Sequence, residues 1–183
     1  FFKNWGLTSD DARDDENMAI VFAAKEGHVH VLQFLKEQWG LTADDARTQN
    51  NYPLRRAAQL GRVQSLQFLK EQWGLTADDA RAKYNSALIE AVKSGHVHVL
   101  KFLKEQWGLT ADDARDQSNL ALRHAAEMGY LHILQFLKEW GLTLKDVRDQ
   151  NNFALRHAAR RGHLHILQFL KEWRDATDAM HLK

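Results

Sequence analysis

Six tryptophans divide the chain at a nearly constant interval, and that interval constrains the fold more than any other feature. Trp5, Trp39, Trp73, Trp107, Trp140 and Trp173 are spaced 34, 34, 34, 33 and 33 residues apart. The segment Leu32 to Arg47, LQFLKEQWGLTADDAR, recurs almost unchanged from Leu66 to Arg81 and from Leu100 to Arg115. It returns in altered form from Leu134 to Arg148. A unit this short cannot bury an apolar face alone. The period therefore predicts a stack in which each unit covers its neighbour.

The glycines locate the chain reversals. All ten fall at two places in the repeat: Gly27, Gly61, Gly95, Gly129 and Gly162, and Gly6, Gly40, Gly74, Gly108 and Gly141. Between them lie two helical patterns. In the second repeat a short helix is predicted from about Tyr52 to Leu60, with Leu54, Ala57 and Ala58 inward. A second runs from about Arg62 to Gln72, with Val63, Leu66, Leu69 and Trp73 on one stripe. Gly74 reads as the residue that ends it, with Leu75 folding back on the last turn. Thr76-Ala77-Asp78-Asp79 has the form of a capping box with Asp in the Glu/Gln place. A third, one-turn helix is predicted over Ala77 to Arg81. Asn17, Asn51, Asn85, Asn119 and Asn152 each precede the first core aliphatic of helix one by three residues, as an N-cap or turn former would.

These residues resemble the ankyrin repeat family, whose core pattern is Thr-Pro-Leu-His-x-Ala-Ala, two free residues, then Gly-His and an aliphatic helix. Tyr52-Pro53-Leu54-Arg55-Arg56-Ala57-Ala58 with Gly61 follows it, as does Phe153-Ala154-Leu155-Arg156-His157-Ala158-Ala159 with Gly162-His163. The resemblance covers about residues 14 to 173. It implies an all-α, ankyrin-like solenoid of about five stacked 33–34-residue helix-turn-helix units, forming one repeat domain over residues 1–183. The units are 14–47, 48–81, 82–115, 116–148 and 149–173, after a partial repeat at 1–13 and before a tail or cap at 174–183. Two departures stand out. The family's hairpin is replaced by Leu-Thr-Ala-Asp-Asp-Ala-Arg, so helix is expected there instead. The last two repeats lack the Gln before Trp, leaving Glu139-Trp140 and Glu172-Trp173. Losing one residue rotates a helical position by about 100°, so either the Trp points elsewhere or the helix ends a residue early.

Composition limits the function classes. Apolar residues make up 44% and charged residues 27%, the balance of a folded chain. Net charge is +1, from 25 basic and 24 acidic residues, which gives no global pull on a polyanion. There is no cysteine, so disulfides and thiolate metal sites are absent, in keeping with an intracellular, cytoplasmic protein. No apolar run approaches the roughly 20 residues of a membrane span. The chain opens at Phe1 rather than Met, as an excerpt of a longer protein would.

Positions that vary between repeats mark the candidate site. Two follow the core aliphatic of helix one: Val21-Phe22, Arg55-Arg56, Ile89-Glu90, Arg123-His124 and Arg156-His157. Two precede the inter-helix glycine: Lys25-Glu26, Gln59-Leu60, Lys93-Ser94, Glu127-Met128 and Arg160-Arg161. The family resemblance places the second set on the concave contact face. The candidates for partner binding are Lys25, Arg55, Arg56, Gln59, Lys93, Arg123, His124, Glu127, Met128, Arg156, His157, Arg160 and Arg161; unconstrained drift at exposed sites is the alternative. Arg156 and Arg160 are four apart, as are His157 and Arg161, so the C-terminal half of this face is basic. A protein partner is expected, an acidic one by that charge.

Other chemistry is weaker. The histidine pairs, such as His96 and His98, are two apart and on a helix would not face each other, so no metal or cofactor is expected. The Asp-Asp pairs recur identically, whereas a catalytic site is unique; they read as helix-start residues, and no enzymatic activity is expected. Two alternatives stay open. One is a structural or self-associating array, a monomer extended end to end where caps are missing. The weaker one is nucleic-acid binding through the basic face. No membrane partner is expected.

Overall fold

A computed structural model describes residues 8–180, with side chains as far as 177. Eleven helices follow one another among the described residues: α1 (Ser9–Glu26), α2 (Val29–Trp39), α3 (Ala43–Ala46), α4 (Thr48–Gln59), α5 (Val63–Glu71), α6 (Ala77–Lys93), α7 (Val97–Trp107), α8 (Ala111–Met128), α9 (Leu131–Trp140), α10 (Leu144–Arg160) and α11 (Leu164–Met180). No strand occurs among these residues. Helices α1, α4, α6, α8 and α10 pack in sequence as one row, and α2, α5, α7, α9 and α11 as a second. Each first-row helix also packs on the second-row helix that follows it, so the molecule is a two-layered ladder of helix pairs.

The predicted stripe fills the space between the rows. Leu54, Leu66, Leu69, Leu88, Leu100, Leu103, Leu122 and Leu134 are fully buried, and Ala57, Ala58, Ala91 and Ala126 let successive first-row helices approach closely. Trp73 is buried, edge-on to Phe68, and its Nε1 donates to the Leu41 carbonyl of the preceding unit at 3.2 Å. The shortened repeats keep this packing. Helix α9 ends at Trp140 after 10 residues, where α7 has 11, and Trp140 and Trp173 remain buried. The Trp thus moves from five to four residues after its partner Phe, from Phe102–Trp107 to Phe136–Trp140. Gly141 takes up the difference at φ +115°, where Gly108 sits at +66°.

The segment between the rows departs from the expected turn. It opens with the capping box read from the sequence: in each unit the Thr hydroxyl and N–H meet the carboxylate of the second Asp, as in Thr76 to Asp79. One helical turn later the chain reverses hand, so that α1, α4, α6, α8 and α10 are each interrupted by a kink. Ala82 is extended, and Lys83, Tyr84 and Asn85 then lie at φ 54°, 58° and 55° with ψ between 32° and 54°. Four other units repeat this left-handed turn, ending at Asn17, Asn51, Asn119 and Asn152. The asparagines therefore close a left-handed turn rather than cap helix one. L-residues in this region cost about 1–2 kcal/mol each, so three in succession require outside support. The support is polar. Gln117 Nε2 donates to Tyr84 O at 2.9 Å, Asn85 Nδ2 to Asp116 at 3.1 Å, and Asn119 Nδ2 to Asp149 at 3.0 Å.

The Asp-Asp-Ala-Arg motif stitches neighbours together. Arg47 Nε and Nη2 grip both oxygens of Asp79 at 2.9 and 3.2 Å, and Arg81 grips Asp113 at 2.8 and 3.2 Å. Arg13 grips Asp45 in the same way, while Arg115, in the fourth such rung, reaches Asp146 through Nε alone at 3.1 Å and turns Nη2 to the Gly141 carbonyl. Burial raises the Asp79 and Asp113 carboxyls, but the arginine bonds and the threonine cap outweigh it, leaving both below the ordinary carboxylate value. The first Asp of each pair only closes an exposed bridge to its own Arg three residues on, as in Asp112–Arg115.

Candidate functional site

Helical spacing sets the candidate residues along the outer edge of the first row, and the inter-unit packing brings several of them together. Gln59 Nε2 donates to Glu90 of the next unit at 3.0 Å, while Arg56 bonds Gln59 and Lys93 pairs with Glu90 at 3.2 Å. Two units on, Glu127 is the centre. Arg161 Nη2 donates to it at 2.8 Å, and His157 and His124 place Nδ1 at 3.8 and 4.0 Å. The Arg161 bond is the main cause holding Glu127 below the ordinary carboxylate value. Burial, followed by the charge of Lys93, lowers His124 below the ordinary imidazole value. Lys25 lies over the Phe22 ring at 4.4 Å. The face thus carries polar clusters of mixed sign.

Three candidate arginines are placed differently. Arg55 donates from Nε to Asn50 O at 3.1 Å and from Nη2 to Gln49 O at 3.0 Å. Arg156 does the same with Asn151 O at 2.9 Å and Gln150 O at 3.2 Å, and Arg123 reaches Gln117 O at 3.5 Å. Their guanidiniums hold the carbonyls of their own left-handed turns. Arg160 is exposed with no side-chain partner among the described residues, and Met128 is exposed as well.

Some residues of this edge escape a reading based on charge. Phe22, Leu60 and Met128 expose large apolar side chains on the first-row helices, and Tyr84 stands 72% exposed at the tip of a left-handed turn. These tips vary between units: Asp15-Glu16, Gln49-Asn50, Lys83-Tyr84, Gln117-Ser118 and Gln150-Asn151. That variation was the available signal.

Several histidines serve the stack. His96 stands just outside its helix at φ −90°, ψ 74°, so spacing by two does not separate it from His98; the rings lie 5.3 Å apart. His98 Nε2 meets Gly61 O at 3.2 Å, His132 meets Gly95 O at 3.1 Å, and His165 meets Gly129 O at 2.9 Å. Each satisfies a carbonyl at the C-terminal end of the preceding first-row helix. No helix among the described residues is long and apolar enough to cross a membrane. No known family model and no curated protein matches the chain.

Proposed function

We propose that this chain is an ankyrin-like interaction scaffold that holds a protein partner on the outer edge of its first helical row. One observation carries the reading. The residues repeated in every unit are engaged between units, while the varying positions of the edge include exposed apolar and charged side chains. Phe22, Leu60, Met128 and Tyr84 supply apolar contact, and Lys25, Arg160 and Arg161 supply charge beside them. Such mixing suits a protein interface, where a few apolar anchors sit within a polar rim. The free Arg160 and the half-exposed Arg161 favour an acidic segment of the partner at the C-terminal half. The left-handed turns occupy the place where the ankyrin family puts its hairpin, and their variable tips extend the same edge. The proposed role is non-enzymatic.

The test compares two sets of exposed positions. Phe22→Ala, Met128→Ala, Arg160→Ala and Arg161→Ala together should abolish partner capture by the immobilised chain. Gln67→Ala, Lys101→Ala and Gln135→Ala on the second row should leave it unchanged. Equal capture by the two variants refutes the assignment of the face.

A further inference from the structure

One inter-unit boundary carries an arrangement found at no other among the described residues: two imidazoles from successive units against a single carboxylate. The position two residues after the core aliphatic of the first-row helix holds Phe22, Arg56, Glu90, His124 and His157 in turn. Helix α8 therefore supplies His124 and α10 supplies His157, and Glu127 of α8 lies within reach of both. His157 Nδ1 is 3.8 Å from Glu127 Oε1, and His124 Nδ1 is 4.0 Å from Oε2. Arg161 Nη2 donates to that same Oε1 at 2.8 Å. Neither imidazole nitrogen has a hydrogen-bond partner, although both are closed off from solvent. His157 is held by stacking on the Phe153 ring at 3.7 Å, and the Arg123 guanidinium lies over that ring at 4.7 Å.

A buried nitrogen without a partner is unfavourable in either tautomer of the neutral ring. As a lone pair it faces a carboxylate; as an N–H it stops short of bonding distance. Protonation removes both faults. A charged ring gains a charge-assisted hydrogen bond to Glu127 once the gap closes by about 1 Å. His157 then takes Oε1, the oxygen that Arg161 holds. With neutral rings, the charges of Glu127 and Arg161 cancel; two added protons bring these four side chains to a net +2. The other charged groups around them are Lys93 and Glu90 of α6, which pair with each other, and Arg123, which stays cationic. His163 meets the Glu127 backbone carbonyl rather than its carboxylate, with Nε2 at 2.9 Å.

We propose that this cluster is a proton-operated latch: uptake of protons by His124 and His157 hands Glu127 to the two rings and frees Arg161 for a carboxylate of an acidic protein segment. On the reading of the first-row edge as the partner surface, on which this rests, the C-terminal half of that edge binds acidic ligands more tightly as pH falls. The sign follows from linkage. An acidic ligand favours the protonated rings, so the added affinity is absent above the imidazole range and appears as pH falls through it. Burial holds His124 uncharged further into the acid range than a free imidazole.

The experiment measures binding of a fluorescent hexa-aspartate peptide to the 183-residue chain by anisotropy at pH 7.5 and 5.5, at constant ionic strength. Affinity should rise about threefold to tenfold on acidification. His124→Gln with His157→Gln should remove most of that rise. His98→Gln with His132→Gln, which removes as many imidazoles from the second row, should keep it. Glu127→Gln should raise the affinity at pH 7.5, because it frees Arg161 without a proton; a glutamate that only braces the stack would not give this result. The same variant should lower the NMR titration of His124 further, since the Glu127 charge raises it. Equal affinity at both pH values, a rise that survives the His124 and His157 changes, or a His124 titration unmoved by Glu127→Gln overturns the latch and leaves the edge standing as a partner surface. Absence of peptide binding at either pH removes the acidic-partner reading and the latch with it.

Discussion

Arg81→Met tests whether the rungs hold the ladder together. Arg81 Nε and Nη2 sit 2.8 and 3.2 Å from the two oxygens of Asp113, and the side chains are 36% and 11% exposed. A fully exposed pair is worth about 0.2–1 kcal/mol, and a hydrogen bond to a charged group about 1.5–3 kcal/mol. The bidentate geometry and the covered aspartate favour the upper range, while the partly solvated arginine discounts it. A coupling of about 1–2 kcal/mol is therefore expected. The measurement is a double-mutant cycle by urea unfolding with Arg81→Met, Asp113→Asn and both. Met keeps the apolar stem, and Asn keeps an oxygen for the Thr110 cap. Arg148→Met is the internal control: an equivalent arginine with no partner among the described residues, expected within about 0.5 kcal/mol of wild type. A coupling below about 0.3 kcal/mol, or an Arg148→Met cost equal to that of Arg81→Met, refutes the account.

Three other perturbations probe separate parts of the argument. Trp73→Ala removes a buried aromatic that also hydrogen-bonds the preceding unit, and should cost about 3–5 kcal/mol; an unmoved melting temperature contradicts its place in the core. Asn119 sits at φ 58°, so Asn119→Gly should destabilise less than Asn119→Ala, by about 1 kcal/mol; the reverse order in thermal melts would remove the left-handed turn. Burial pushes His96 and His124 below their ordinary value, with His98 and Lys93 adding to it respectively. The unfolded chain then binds more protons than the folded one. The stabilisation is full above the unfolded value of about 6.5 and declines as pH falls from there through the folded values. Urea midpoints from pH 7.5 to 5 should show this slope, and His96→Gln with His124→Gln should flatten it; an unchanged slope assigns it elsewhere.

What was legible in the sequence was whatever acts locally or repeats. The period marks the units. Leu66, Leu69 and Trp73 announce their burial by helical spacing, and the Thr-x-x-Asp boxes announce their caps by chemistry that spans three residues. The rungs join residues 31 or 32 apart, which no local pattern reveals. Their signal was the persistence of Arg47, Arg81 and Arg115 at a polar position that solvent alone would not constrain. The left-handed turn was hidden for an energetic reason. Gln117-Ser118-Asn119 has no glycine to favour positive φ, so local preference points away from the conformation that packing and the Asp149 contact impose. The histidine rings were misplaced because His96 lies one residue outside the helix assumed for it.

The distinction between the two kinds of polar contact bears directly on the proposed partner surface. Arg81–Asp113 and Asn119–Asp149 use residues whose partners are fixed by the register of the stack, and breaking them loosens the boundary between units. Gln59–Glu90 and Glu127–Arg161 also cross boundaries, but they join positions that change identity from unit to unit. Arg161 is 55% exposed, and a pair so placed is worth no more than about 1 kcal/mol. Its side chain can therefore turn to an incoming carboxylate at little cost to the fold, and Glu127 keeps the two histidines as neighbours. Arg161→Ala should thus leave the urea midpoint almost unmoved while weakening partner binding. A large loss of stability from that single change would mean that the face is part of the scaffold and not a surface held in reserve.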